Sequence, residues 1–172
     1  MKVFREEQRF TQLWIIVLIA VSALIPLVII LSQYLKNENA FTATELVITL
    51  SLGVCLPLII FLFKLYTRID EKGVHYRFSP FHFKLKTIQW SKISKAYVRK
   101  YDAISEYGGW GLKGGYFWRK SKGTAINVSG DIGIQLELEN GKRILIGTKL
   151  EQQAKEVLNY YSSNFNHHEQ SI

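Results

Sequence analysis

The segment Lys113-Gly-Gly-Tyr-Phe-Trp-Arg-Lys-Ser-Lys122 sets Lys113, Arg119, Lys120 and Lys122 around three adjacent rings, Tyr116, Phe117 and Trp118. Those residue types suit an anionic bilayer surface. A Lys or Arg held near acidic headgroups contributes about 1 kcal/mol, and amphipathic side chains rest at the interface. The same mixture suits single-stranded nucleic acid, where bases stack on aromatic rings, and it equally describes a solvated loop. No other stretch concentrates chemistry in this way.

The remaining motifs read as structure. Gly109-Trp-Gly-Leu-Lys-Gly114 has the spacing G-x-G-x-x-G, but a dinucleotide site needs a strand before it and a helix after it. Gly-Tyr-Phe-Trp-Arg-Lys follows, without helical periodicity. The glycines are therefore expected to supply positive φ in a long turn, with Trp110 covering one end of the domain. His75, His82, His167 and His168 have no Cys or second His at zinc-ligand spacing. Cys55 is the sole cysteine, so no intramolecular disulfide forms, and it reads as a small buried apolar side chain. There is no Gly-x-Ser-x-Gly element. Asp102 and Glu106 are four apart but are expected in a loop, as solvated charge. Asn127-Val-Ser129 matches a glycosylation acceptor that a cytoplasmic location makes irrelevant. No catalytic residue, metal site or cofactor is expected, and the chain reads as non-enzymatic.

Two uncharged apolar runs dominate the N-terminal third, residues 13–31 and 46–63. A helix over the first rises about 28 Å, close to a hydrocarbon core of roughly 30 Å. Pro26, Gly53 and Pro57 are tolerable in membrane helices whose neighbours satisfy the freed carbonyls, and Trp14, Tyr34 and Tyr66 sit near the run ends, as interfacial aromatics do. A signal peptide cleaved near Ala20-Val-Ser-Ala23 would be cut mid-run, and buried helices of a soluble protein rarely lack every charge. The expectation is a transmembrane helical hairpin over 13–63 with an outer loop at 32–45. Lys2, Arg5 and Arg9 precede it and Lys64, Arg68, Lys72 and Arg77 follow, so both termini, including a tail at 1–12, are expected in the cytoplasm. From Lys64 onward 18 Lys and Arg face 10 Asp and Glu. That excess fits an anionic membrane surface, and attachment to a membrane disfavours nucleic acid as a partner.

After Phe63 the pattern becomes alternating. Strands are expected at Tyr66–Ile69, at 74–78, at 81–86, where Phe81, Phe83 and Leu85 alternate with His82, Lys84 and Lys86, and at Ala96–Tyr101. A short turn is expected at Trp90–Ile93. Ile134, Leu136 and Leu138 alternate up to Asn140-Gly141, and Ile144 and Ile146 return on one face, a strong hairpin signal. A final helix begins with Thr148 and Glu151 at capping-box spacing. Its apolar stripe is Leu150, Ala154, Val157, Leu158 and Tyr161, and residues beyond 165 read as a frayed tail.

In order, Gly-Gly-Trp-Gly-Leu (108–112), Ala-Ile-Asn-Val-Ser-Gly (125–130), Gly-Ile-Gln-Leu-Glu-Leu (133–138), Asn-Gly-Lys-Arg (140–143) and Ile-Leu-Ile-Gly-Thr (144–148) resemble bacterial pleckstrin-homology-like membrane proteins. The resemblance covers about residues 66–162, and Tyr116–Lys122 does not align with it. It implies a bent barrel of about seven strands closed by a C-terminal helix, tethered to two membrane helices at a bacterial inner membrane. It implies no reaction. The implied role is a membrane scaffold that binds a protein partner or copies of itself. The alternative is a sensor taking an anionic lipid headgroup or small ligand through the basic aromatic loop.

Overall fold

The computed structural model describes residues 2–36, 42–114 and 123–166. It divides into two compact units, one built from residues 10–62 and the other from residues 1–9 together with 63–172.

The first unit is helical. α1 (Leu13–Lys36) is 24 residues long with Pro26 inside it. It is long and apolar enough to cross a membrane. Ser22 and Ser32 each donate a hydroxyl hydrogen bond to the carbonyl three residues back, so neither leaves a polar group unpaired on an apolar helix. α2 (Ala43–Leu58) is followed directly by a 3₁₀ turn, Ile59–Leu62. A true capping box opens it: the Glu45 carboxylate accepts from the Thr42 N–H, and Thr42 Oγ1 accepts from the Glu45 N–H. Ala23, Pro26, Leu27 and Ile30 of α1 face Thr49, Leu50 and Gly53 of α2. Cys55 is exposed, not buried as its residue type suggested.

The second unit is mainly β. In chain order it holds β1 (Phe4–Arg9), β2 (Lys64–Asp70), β3 (Gly73–Ser79), β4 (Lys86–Gln89), β5 (Ile93–Lys100), a short helix α3 (Ala103–Tyr107), β6 (Gly111–Lys113), β7 (Thr124–Asn127), β8 (Ile132–Leu138), β9 (Arg143–Gly147) and the C-terminal helix α4 (Glu151–Asn166). The strands form two sheets, in the orders β1-β2-β3-β4 and β5-β8-β9-β7-β6, with β7 and β9 the parallel pair. Hydrogen bonding does not join them into a closed barrel among the described residues, and nine strands stand where about seven were expected.

Alternation explains most of this. Leu65, Ile69, Val74, Phe78 and Ile88 from the first sheet, and Ile134, Leu136, Ile146 and Ile126 from the second, are buried. The α4 stripe supplies Ala154, Val157, Leu158 and Tyr161, also buried, with Tyr161 stacked on Trp90 at 5.4 Å. The Asn140-Gly141 hairpin forms as expected, Gly141 taking φ 76°.

Three expectations are corrected. Residues 4–9 are no tail: β1 pairs antiparallel with β2, Phe4 opposite Ile69 and Arg9 opposite Lys64, with Phe4, Glu6 and Gln8 turned inward. Residues 81–85 are no strand. The His82 N–H donates to the Phe78 carbonyl, the Phe78 N–H donates to His82 Nδ1, and these two bonds close a turn before β4 begins at Lys86. Asp102–Tyr107 is no loop: Asp102 caps α3 by accepting from the Ile104 and Ser105 N–H groups, and Gly108 ends it in the left-handed region.

The capping of α4 also differs. Glu151 turns to Lys155. Glu6 of β1 takes its place, accepting from Thr148 Oγ1 at 2.6 Å and from the Lys149 N–H at 2.8 Å, while Thr148 Oγ1 accepts from the Leu150 N–H. Gln8 donates to the Gly147 carbonyl and Tyr161 to the Lys2 carbonyl. The first strand thus fastens the start of the last helix.

Candidate functional site

Of the residues singled out for membrane contact, Lys113 is described: it ends β6, half-buried, opposite Ala125. Tyr116, Phe117, Trp118, Arg119, Lys120 and Lys122 lie outside the described residues. Glycines bound the segment on both sides. A Cβ on Gly114 (φ +106°) would meet Thr124 Cα at 2.6 Å, and one on Gly123 (φ +82°) the Arg143 carbonyl oxygen at 2.1 Å. The glycine-rich run before it builds structure too. Gly108 and Gly109 close α3, and the Gly111 N–H donates to Asn127 Oδ1. Trp110 packs on Tyr101, Ala103, Tyr107, Ala125 and Leu145, beneath α3, rather than over a barrel end. Burial pushes the Tyr101 hydroxyl up to about 12, although Asn127 donates to it.

Sequence reasoning passed over the outer face of the five-stranded sheet. Register sets Tyr97 and Arg99 of β5, Gln135 and Glu137 of β8, and Arg143 of β9 on that face. With Glu106 of α3 they line an open recess of about 230 Å³. Arg99 organises it. Its Nε donates to Gln135, its Nη1 to Glu106 and the Lys100 carbonyl, and its Nη2 to Glu106 and Tyr107. All five guanidinium hydrogens are thereby used. Tyr97 donates to Glu137 at 3.0 Å, and Arg143 reaches the same carboxylate only at 3.9 Å. The recess is mixed in charge and internally satisfied, with exposed Tyr97 and Arg143 on its rim. Nothing inside it calls for an anion. Alternation along 132–138 and 93–100 carried this signal, because it set these side chains opposite the core.

The outer face of the four-stranded sheet holds a second constellation. Arg68, His75 and Thr87 are cross-strand neighbours, and Asp70 sits diagonally from His75 across the hairpin. Thr87 Oγ1 lies 2.8 Å from His75 Nδ1, His75 Nε2 lies 2.9 Å from Asp70 Oδ1, and Arg68 pairs with Asp70 Oδ2 at 2.8 Å. Burial pushes the Asp70 carboxyl up. Hydrogen bonds from His75 and the Lys72 N–H, together with the Arg68 charge, outweigh this and hold it below its ordinary value. A hydroxyl–imidazole–carboxylate chain is the arrangement that activates nucleophiles. Here Arg68 already neutralises the carboxylate, and the chain ties β2, β3 and β4 together. We read it as a cross-link.

The same face is basic. Arg5, Arg9, Lys64, Arg68 and Arg77 project from it. Glu7 takes up Arg9 and Lys64, and Arg5 and Arg77 have no acidic partner among the described residues. Comparison with family models, with curated proteins and with solved structures found no match to this chain.

Proposed function

We propose that this chain is a membrane-anchored, non-enzymatic interaction protein: its apolar helices hold a pleckstrin-homology-like domain at the cytoplasmic face of a bacterial inner membrane. There the domain docks a protein partner or a second copy of itself. The observation that carries this reading is the pairing of Arg9 with Lys64. The chain leaves the β domain and re-enters it at one place. A segment that begins and ends on one side of a bilayer crosses it an even number of times, so a crossing by α1 is answered by α2. The 16 residues of α2 and the four of the 3₁₀ turn together reach about 32 Å, enough for the return. Cations on both flanks favour the cytoplasmic side for both termini.

For the docking surface, the recess around Arg99 is the best-formed candidate. Its Tyr97 and Arg143 rim has the residue types that dominate protein–protein interfaces, and its satisfied interior argues against a small polar ligand. Lipid or ligand binding through residues 113–122 is the second reading, supported by their composition alone. The test is co-purification from native membranes in mild detergent, comparing the wild-type chain with Tyr97→Ala and Arg143→Glu. A partner or second copy retained by the first and lost from the variants is the expected result. A chain that elutes as a monomer with nothing bound would refute docking. Protease access to the β domain from outside intact cells would overturn the orientation.

A further inference from the structure

The turn between β3 and β4 carries the most exposed large apolar side chain among the described residues of the β domain. Phe83 is 89 % exposed, Phe81 58 % and Leu85 41 %. Such a group in water is costly, by about 1.5–3 kcal/mol per side chain relative to full burial, so its surroundings matter. The turn is held in shape. The paired bonds between Phe78 and His82 close its base, and Phe81 stacks on Phe78 at 6.0 Å and meets the Phe63 ring at 5.6 Å. Phe83 stands at the tip, followed by exposed Lys84 and Lys86.

Register fixes where in the domain this happens. Ser79 pairs with Lys64, and Lys64 with Arg9. The turn therefore springs from the same end of the sheet at which the chain passes, through Arg9 and Phe63, into the apolar helices. Charge points the same way. Residues 72–101 contain eight Lys and Arg and no Asp or Glu, and Arg77 on the adjoining strand has no acidic partner among the described residues.

We infer that the turn at residues 80–85 is a second, peripheral membrane contact, with Phe83 and Leu85 seated at the headgroup–acyl boundary of an anionic bilayer and Lys84, with Lys86 at the start of β4, reaching back to its phosphates. Aromatic and aliphatic side chains favour that layer, and lysine stems lie along it with the ammonium in the headgroups. The inference rests on the membrane-anchor reading above. The covalent junction restricts the β domain to the bilayer surface, and the turn would fix which of its sides faces the lipid.

The test uses the full chain with Cys55→Ser and a single new cysteine for an environment-sensitive fluorophore: Phe83→Cys at the tip, Asn140→Cys on the β8–β9 turn, or Leu24→Cys in α1. Each is reconstituted into phosphatidylcholine nanodiscs with and without phosphatidylglycerol, and quenched either by nitroxide-labelled lipid or by aqueous iodide. The expected result is a blue-shifted label at 83, quenched by nitroxide near the headgroups and shielded from iodide, more strongly when phosphatidylglycerol is present. The label at 140 should show the reverse. Adding Lys84→Gln and Lys86→Gln should abolish the dependence on phosphatidylglycerol. Lipid quenching at 24 with a water-exposed label at 83 would overturn this inference and leave the anchor standing. Absence of lipid quenching at 24 would sink both.

Discussion

Glu6 lies at the head of the chain, and its removal should loosen the last helix. Its carboxylate receives two donors, the buried Thr148 hydroxyl at 2.6 Å and the partly buried Lys149 N–H at 2.8 Å. A hydrogen bond to a charged group contributes about 1.5–3 kcal/mol, and stranding a buried donor costs a similar amount. Glu6→Ala should therefore cost about 3–5 kcal/mol, a large share of a typical domain's roughly 5–15 kcal/mol. Glu6→Gln separates charge from geometry. The amide oxygen can still accept from Lys149, and its NH₂ can donate to Thr148 Oγ1, which has a second lone pair beside the one used by the Leu150 N–H. That substitution should cost only about 1 kcal/mol. Thr148→Val removes one of the same bonds, so Glu6→Ala combined with Thr148→Val should cost less than the two changes summed. The assay is urea unfolding of the detergent-solubilised chain, followed by amide hydrogen exchange in α4, since a frayed cap exposes residues 149–152 first. Two results would refute the reasoning: Glu6→Ala within about 1 kcal/mol of wild type, or Glu6→Gln as damaging as Glu6→Ala.

Two further predictions follow from the sheets. A Cβ on Gly73 would lie 2.1 Å from the Ile88 carbonyl oxygen at a φ of +143°, whereas one on Gly141 meets nothing at a φ of +76°. Gly73→Ala should cost more than about 2 kcal/mol by prising β3 from β4, and Gly141→Ala only the strain of about 1–2 kcal/mol that a left-handed residue carries; thermal unfolding of the two variants side by side checks this. Asp70 has a depressed carboxyl in the fold, so its contribution to stability is complete above its unfolded value, near 3.9, and is lost as pH falls through the lower folded value. Asp70→Asn should flatten that acid limb when stability is measured against pH, and an unchanged limb would remove Asp70 from the account.

The sequence exposed the regular parts of this fold and hid those decided by distant contacts. Alternation was enough for β2, β3, β8 and β9 because each has one face on the core. It misled at 81–85. Phe81, Phe83 and Leu85 have strand spacing, yet the Phe78–His82 bonds turn the chain there and leave those side chains outward. Glu6 and Gln8 share the buried face of β1 with Phe4, but two buried polar groups in a six-residue stretch look like a solvated tail until Thr148 and Gly147 are brought to them. The Arg99 recess was half legible. The parity of Tyr97, Arg99, Gln135 and Glu137 was in the sequence, while their meeting with Glu106 depends on α3, a helix of five residues that is too short for a periodic signal.

The Arg9–Lys64 pairing makes residues 10–63, seen from the sheet, nothing more than a very long hairpin loop. During synthesis β1 emerges first and waits for its neighbour until both apolar helices have been made, and for its last partners until residues 147–149 appear. Under the proposed topology, a chain whose second helix failed to cross would strand β1 and β2 on opposite sides of the bilayer, with the sheet edge bare and the start of α4 uncapped. On that proposal, correct insertion and correct folding would be one event, with the β1–β2 pairing proofreading the membrane topology. Replacing residues 10–63 with a tight two-residue turn such as Asn-Gly should, by the same logic, release a water-soluble domain that keeps both sheets.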